Sequence, residues 1–250
     1  MDGGEAMTAG YDPVQFGGSV RPAELRSLVT ALADAAVLGD FFTISCGGAG
    51  AAWRPAGEAY RHGLRDLIGQ TARRLGVSQD RVAGSITQLG YAARLWSPAL
   101  ACALGQGIVP DLQGLQIGAE LPVRLRLPRP RGWHVNGSGV LAGLLYQTVV
   151  EEHLEPLAAG LDVTIASGLL WGNAASAMAG ALGVIVGASP CLAKPARALA
   201  DLLLTTRRLR GTGHFTGPGL DFRRRSCCLY YRVPGGGMCG DCSLLPGPGP

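Results

Sequence analysis

The stretch at residues 222–245, FRRRSCCLYYRVPGGGMCGDCSLL, contains four of the seven cysteines in the chain. These thiols follow the spacing Cys-Cys-x10-Cys-x2-Cys and belong to Cys227, Cys228, Cys239 and Cys242. Four cysteines so close together match the ligand number of an all-cysteine zinc site or of an iron–sulfur cluster. The stretch therefore predicts a small C-terminal module that needs its metal to fold and that docks on the rest of the chain.

The adjacent pair Cys227 and Cys228 favours a two-iron centre over a single zinc ion. Zinc ribbons usually take their ligands from two turns, each with two cysteines separated by two to four residues. Only Cys239 and Cys242 have that spacing. Neighbouring side chains of an extended backbone point to opposite faces, so the adjacent pair reaches one ion only through a sharp turn. A two-iron centre is wider and relaxes this requirement.

Other centres fit the pattern less well, although zinc and disulfides stay open as alternatives. The stretch contains no histidine, and the nearest one is His214. This disfavours a Rieske-type centre, and the spacings of plant and bacterial ferredoxins do not match. Disulfides are less favoured because a bond between adjacent cysteines is strained. In addition, residues 1–16 lack the charged and apolar regions of a secretion signal.

The cysteine spacing resembles the C-terminal signature of the FhuF-like family, the [2Fe–2S] ferric-siderophore reductases. The chain length of 250 residues and the position of the run at the end of the chain are also similar. The resemblance implies a [2Fe–2S] cluster on the four cysteines and reduction of ferric iron in hydroxamate-type siderophore complexes. It also implies a ferric siderophore as partner and an electron donor such as a ferredoxin or a flavoprotein. The alternatives are a structural zinc-binding interaction module and a [2Fe–2S] electron carrier without reductase activity.

Arginines surround the first cysteine pair. Arg224, Arg225 and Arg232 are predicted to offset the negative charge of a four-thiolate centre and raise its reduction potential. They could also steer an acidic electron donor towards the site. The alternative is a solvated basic run. The net charge of +4 is too small, and too dispersed, to indicate a nucleic-acid partner.

The remainder of the chain is predicted to be α+β, a mainly helical body with a small antiparallel sheet. The predicted division is a body at 1–210, which would bind the siderophore, and a cluster module at 211–250 with a disordered tail. Strictly alternating residues predict a strand at 123–127 with a partner near 115–118, and β-favouring residues predict another at 229–233. Helices are predicted at 22–39, 56–75, 78–95, after Pro98, and at 140–153, 163–187 and 196–204.

Two of the histidines, His134 and His153, are interpreted separately. Residues 133–136 are predicted to form a loop, and His134 is the first candidate for the wall of a siderophore pocket, although a surface cap is the simpler interpretation. The following Gly-x-Gly-x-x-x-Gly at 137–143 is interpreted as the start of a helix capped by Asn136 or Ser138, not as a dinucleotide site. His153 and its neighbouring glutamates are predicted to form a solvated helix face.

The amino-acid composition indicates the cell compartment in which the protein is expected. Seven cysteines without an export signal predict a reducing compartment, with the cytoplasm as default. Residues 163–193 carry no charge, but they are rich in small residues, which favours a buried core helix over a membrane span. Peripheral contact with the inner face of the membrane stays compatible with this composition. Cys46, Cys102 and Cys191 are predicted to be buried, inert thiols.

Overall fold

The computed structural model describes residues 18–48 and 53–244. Within these ranges the predicted α+β class is confirmed: a mainly helical body with small sheets precedes the cysteine-rich C-terminal segment. The predictions of an absent secretion signal at residues 1–16 and of a disordered tail after Leu244 lie outside the described residues. The division of the chain at residue 210 stays a prediction.

The helices account for most of the body. In chain order they are α1 (Leu25–Ala36), α2 (Ala56–Arg61), α3 (Arg65–Leu75), α4 (Asp80–Gln106), α5 (Ser138–Tyr146), α6 (Glu155–Gly160), α7 (Ser167–Ala188) and α8 (Ala193–Leu204). A π-helical segment, Gln147–Leu154, joins α5 to α6.

The strands form three small sheets. They are β1 (Ser19–Pro22), β2 (Ile44–Cys46), β3 (Trp53–Pro55), β4 (Ile108–Asp111), β5 (Gln116–Gly118), β6 (Leu125–Leu127), β7 (Arg131–Asn136), β8 (Gly213–Phe215) and β9 (Phe222–Arg224). One sheet has the order β1-β7-β4 and is antiparallel, and the second has the order β2-β6-β5-β3 with β2 and β6 parallel. The antiparallel pair β5–β6 confirms the predicted partnership between residues 115–118 and 123–127. The hairpin β8–β9 leads directly into the cysteine-rich segment.

Helices α4 and α7 lie side by side at the centre of the body. By length and a mean hydropathy of 1.6, α7 could cross a membrane, but 72% of that window is buried inside the protein. This burial agrees with the predicted core helix. The predicted end of a helix before Pro98 is wrong, because α4 continues through this buried proline. Packing of α4 on both sides offsets the roughly 3 kcal/mol that an internal proline costs a helix.

Three further predictions of local structure are wrong. The segment 56–75 is two helices, because Leu64 takes a left-handed conformation (φ 52°) that buries its side chain at the break. Residues 133–136 are not a loop: they belong to β7, whose backbone groups bond to strands on both sides. The helix that follows is capped by Gly137, without a side-chain hydrogen bond from Asn136 or Ser138.

His153 is buried, so the prediction of a solvated helix face is wrong at this residue. Its Nε2–H donates to the Leu112 carbonyl oxygen at 3.2 Å, which leaves Nδ1 to accept from the Tyr60 hydroxyl at 2.6 Å. Tyr91 then donates to the Tyr60 oxygen, also at 2.6 Å. Burial lowers the pKa of His153 to about 4, although the bond to Leu112 opposes the shift. The imidazole is therefore neutral in the folded protein at neutral pH.

We expect stability to fall as the pH drops below 6.5 because of His153. The unfolded chain binds a proton near pH 6.5 and the folded chain only near pH 4, so acid favours unfolding between these values. From pH 7.5 to 5.5 this histidine should remove about 1.4 kcal/mol of unfolding free energy, measured by urea denaturation. His153→Gln should abolish this part of the pH dependence, whereas replacing the exposed His62 should not. Equal slopes in wild type and His153→Gln would contradict the assignment.

Candidate metal centre

The four C-terminal cysteines lie in one short segment with their thiols free. Cys228 and Cys242 are buried, and Cys227 and Cys239 are half-buried. The Sγ atoms of Cys228 and Cys239 are 3.6 Å apart. Cys242 lies in the same turn as Cys239, since its N–H donates to the Cys239 carbonyl oxygen at 3.0 Å. The fold therefore brings the two halves of the cysteine run together.

The spacing of this thiol pair fits two ligands of one metal ion. Two thiolates bound tetrahedrally at about 2.3 Å from an ion lie about 3.8 Å apart, close to the observed separation of Cys228 and Cys239. Cys227 is next to one member of the pair and Cys242 is three residues from the other. Across residues 18–48 and 53–244, no group of three or more potential ligands converges as a ready metal site. The structure therefore shows one thiol pair at a distance suited to metal binding, with the other two cysteines beside it in the chain.

The backbone around Cys227 forms a tight turn and not the predicted strand at 229–233. Leu229 is left-handed (φ 67°), and a 3-10 turn follows at Tyr230–Arg232. The Leu229 N–H donates to the Cys227 sulfur at 3.3 Å, and the Leu244 N–H donates to the Cys242 sulfur at 3.4 Å. N–H groups directed at sulfur stabilise thiolate charge and tune the potential of iron–sulfur centres. Among the described residues, no strand pairs with 229–233, and both tyrosines are exposed.

Helices α4 and α7 fix the turn from the body side. The Ser85 hydroxyl donates to the Cys228 carbonyl oxygen at 2.7 Å. The Asn173 side-chain amide donates to the Ser85 carbonyl oxygen at 3.0 Å. At Gly172 a Cβ atom would lie 2.0 Å from the Ser226 hydroxyl oxygen, so only glycine permits this approach of α7 to the residue before Cys227. The metal-binding segment thus docks on the core by defined contacts.

Arg224 is buried at the centre of this contact, with 2% of its surface exposed. Its Nε donates to the Asp241 carboxylate at 2.9 Å, and its Nη1 donates to the Asn173 side-chain oxygen at 2.8 Å. Its Nη2 donates to the Ser176 hydroxyl. Because Asp241 lies between Cys239 and Cys242, the guanidinium joins the Cys-x2-Cys turn to α7. The prediction of a solvated run is wrong for this arginine.

Burial raises the pKa of Cys227 and Cys239, and neighbouring charges either add to this shift or oppose it. Burial alone would raise the pKa of Asp241, but the Arg224 charge, together with hydrogen bonds from Ser176, Arg224 and Cys239, lowers that pKa. Burial raises the pKa of Cys239, and a hydrogen bond with the Asp241 carboxylate raises it further. Burial likewise raises the pKa of Cys227, against the Leu229 N–H and the Arg224 charge, which lower it. A bound metal would deprotonate these thiols, since it binds the thiolate form.

The other predicted site residues have different surroundings. Arg225 is exposed, and its backbone N–H donates to the Thr212 carbonyl oxygen at 2.8 Å. Arg232 is also exposed and donates to the Gln79 side-chain oxygen and the Tyr231 hydroxyl, each at 3.0 Å. His134 is half-buried within β7, and the cavity beside the Cys-x2-Cys turn is not lined by it. The role of His134 in a siderophore pocket stays a prediction.

The remaining cysteines lie away from this segment. Cys102 is buried in α4, and burial raises its pKa to about 12, so its thiol is inert as predicted. Cys46 and Cys191 are exposed, and the prediction of burial is wrong for both. Cys46 ends the short strand β2, and Cys191 lies in a 3-10 turn after α7 that has no buried residue.

Sequence reasoning missed several residues that hold the centre in place: Ser85, Asn173, Ser176 and Asp241. A signal was present for three of them. Asn173 and Ser176 are polar residues in an otherwise uncharged helix, and a buried polar side chain needs a partner. Asp241 lies between two predicted ligands, where a carboxylate beside thiolates needs a neutralising cation. The sequence did not show that these residues contact Arg224.

Residues 224–244 match the family model of the FhuF 2Fe-2S C-terminal domain. The match confirms the resemblance predicted from the cysteine spacing, and it supports an iron–sulfur centre in this segment. It begins at the buried Arg224 and includes all four cysteines. No curated protein and no solved structure shows significant similarity to the chain.

Proposed function

We propose that this protein is a ferric-siderophore reductase, which gives one electron to ferric iron in a hydroxamate-type siderophore complex and releases ferrous iron. The observation that carries the proposal is the Cys228–Cys239 thiol pair, 3.6 Å apart, in a segment matching a 2Fe-2S domain. A [2Fe–2S] cluster bound by these cysteines with Cys227 and Cys242 would supply electrons one at a time. This stoichiometry equals that of reducing ferric to ferrous iron.

Reduction of a ferric siderophore requires no covalent catalysis by the protein. Siderophores hold ferric iron through hard oxygen donors, and the less highly charged ferrous ion is bound far less tightly by the same donors. No covalent bond of the ligand has to break. The chain must therefore hold the ferric complex close to the cysteines and keep the cysteine segment in a fixed position while the electron passes.

The contacts around the cysteines are suited to that second task. Arg224, which bonds to Asp241 and to Asn173 of α7, and the Ser85 bond to the Cys228 carbonyl tie the segment to long helices of the body. Functional groups held by rigid elements and satisfied hydrogen bonds keep their geometry, which limits reorganisation on electron transfer. Arg224 is thus a positioning residue as well as a nearby positive charge.

The electron donor is proposed to dock on the exposed side of the cysteine segment. Tyr230, Tyr231, Met238 and Leu244 are 40–56% exposed there. Arg225 and Arg232, in the same segment, are exposed as well. An acidic ferredoxin or flavoprotein would be steered to such a surface, and the apolar side chains would be buried in the complex. We place the reaction in the cytoplasm, because a reducing compartment maintains free thiols.

The proposal is tested by single-turnover oxidation of the reduced protein. Protein purified without air, reduced and freed of reductant, should be reoxidised by a ferric trihydroxamate complex. A ferrous chelator should then trap about one ferrous ion per cluster, because each cluster gives one electron. The reaction is followed by visible absorption, and the redox-inert gallium(III) complex serves as the control.

Two outcomes would contradict the proposal in different ways. Protein that contains iron and sulfide but stays reduced with the ferric complex would be an electron carrier without reductase activity. Colourless protein with one zinc ion would be a structural module. Reoxidation by the gallium complex would show that another oxidant acts in the assay.

A further inference from the structure

A cavity of about 620 Å³ lies beside the Cys-x2-Cys turn. Helix α7 forms one wall with Ser176, Gly180 and Gly183, and the end of the β8–β9 hairpin forms another with Asp221 and Arg223. The third wall is the turn itself, through Gly240 and Asp241. The cavity therefore ends on the two residues that separate Cys239 from Cys242.

The glycines of α7 leave this space open. A Cβ atom built at Gly180 or at Gly183 would meet no heavy atom within 4 Å. Two further hollows adjoin the cavity at these glycines. Gly180 also lines an apolar groove at Phe41 and Phe42, and Gly183 also lines a groove at Lys194.

Asp241 connects the cavity to the cysteines directly. Its carboxylate pairs with Arg224 at 2.9 Å and also lines the cavity. Asp241 is two residues from Cys239 and adjacent to Cys242 in the chain. A molecule in the cavity therefore lies against the turn that carries these two cysteines.

The charged residues that line the cavity indicate which kind of electron acceptor it can bind. Asp221 and Asp241 are the acidic lining residues, and Arg223 is basic, with Arg224 behind Asp241 as the second cation. Arg223 also donates to the Cys242 carbonyl oxygen at 2.8 Å, which holds it against the turn. The lining is therefore close to neutral. A strongly anionic complex would face two carboxylates without an excess of cations, which is unfavourable in a partly desolvated site.

We infer that this cavity binds an uncharged, oxygen-ligated ferric complex, such as one with three hydroxamates, beside Cys239 and Cys242. Three monoanionic hydroxamates neutralise one ferric ion, whereas three dianionic catecholates leave a charge of −3. The apolar grooves along α7 suit the methylene linkers of a hydroxamate ligand. The inference rests on the proposed function for its electron transfer, but binding can be measured separately.

The test uses gallium(III) complexes, which have the size and charge of the ferric ones and are not reduced. Calorimetry should show that wild-type protein, purified without air, binds a neutral gallium trihydroxamate at least tenfold more tightly than a trianionic gallium tricatecholate. Gly183→Trp should weaken binding of the trihydroxamate at least tenfold, because the indole occupies the cavity. Gly168→Trp is the matched control, since Gly168 also lies in α7 with open space at its Cβ but outside the cavity.

The variants must first be shown to retain the visible spectrum and urea midpoint of the wild type. Equal affinity of wild type and Gly183→Trp for the trihydroxamate would overturn the inference, as would equal affinity for both gallium complexes or no binding by the wild type. Failure of the proposed function alone would give a different result. The wild type would bind the gallium trihydroxamate and Gly183→Trp would bind it more weakly, but the ferric complex would not reoxidise the reduced protein.

Discussion

Replacing Cys228 by serine should lower the iron and acid-labile sulfide of protein purified without air at least tenfold. Cys228 is buried, and its sulfur is 3.6 Å from that of Cys239, a separation suited to two ligands of one iron. A serine oxygen is a harder donor than a thiolate and binds cluster iron less well. Visible absorption and single-turnover oxidation by a ferric complex should be lost in parallel.

The matched control for this variant is Cys102→Ser. Cys102 is also buried, but it lies within α4 and away from the other thiols of the C-terminal segment. It should keep the wild-type iron content and spectrum, with at most a loss of stability from placing a hydroxyl in an apolar site. Full iron content in Cys228→Ser, or equal loss in both variants, would contradict the assignment of the four cysteines as ligands.

The cysteine segment was the most predictable part of the molecule, because its information is local. A run of four thiols at fixed spacing specifies ligand number without knowledge of the fold. Its backbone was less predictable. The β-favouring residues at 229–233 would need a neighbouring strand, and the segment instead turns at Leu229 so that its N–H reaches the Cys227 sulfur.

The body shows where reasoning from sequence fails for physical reasons. The core helix α7 was predicted because an uncharged, small-residue run has few other stable environments. The strand β7 was missed because its stability comes from β1 and β4, which are distant in sequence. The burial of His153 was missed for the same reason, since its partners Tyr60 and Leu112 belong to other elements.

The cavity beside the cysteines could not be predicted either. It exists because Gly180 and Gly183 of α7 face the β8–β9 hairpin without filling the space between them. Sequence shows that these glycines are small, but it does not show which surface they face. The first candidate for a substrate-binding residue, His134, was chosen from a presumed loop that is a strand.

Replacing Arg224 by methionine should destabilise the protein by about 3–5 kcal/mol, the usual cost of removing one partner of a buried ion pair. The variant leaves the Asp241 carboxylate, the Asn173 oxygen and the Ser176 hydroxyl without their donor in a buried contact. Urea unfolding followed by circular dichroism measures this change. Arg225→Met is the control: Arg225 is the next residue and exposed, so its replacement should cost within about 0.5 kcal/mol.

Combining Arg224→Met with Asp241→Asn separates positioning from charge compensation. If the ion pair fixes the Cys-x2-Cys turn to α7, the double variant should be more stable than the sum of the two single changes predicts, by about 0.5–3 kcal/mol. Arg224→Met should also lose iron faster in the presence of a chelator. If Arg224 instead acts only as a positive charge near the thiolates, its replacement should lower the midpoint reduction potential while the urea midpoint stays unchanged. The two measurements on one variant therefore decide between the roles, and the burial of Arg224 beside three partners leads us to expect a loss of stability first.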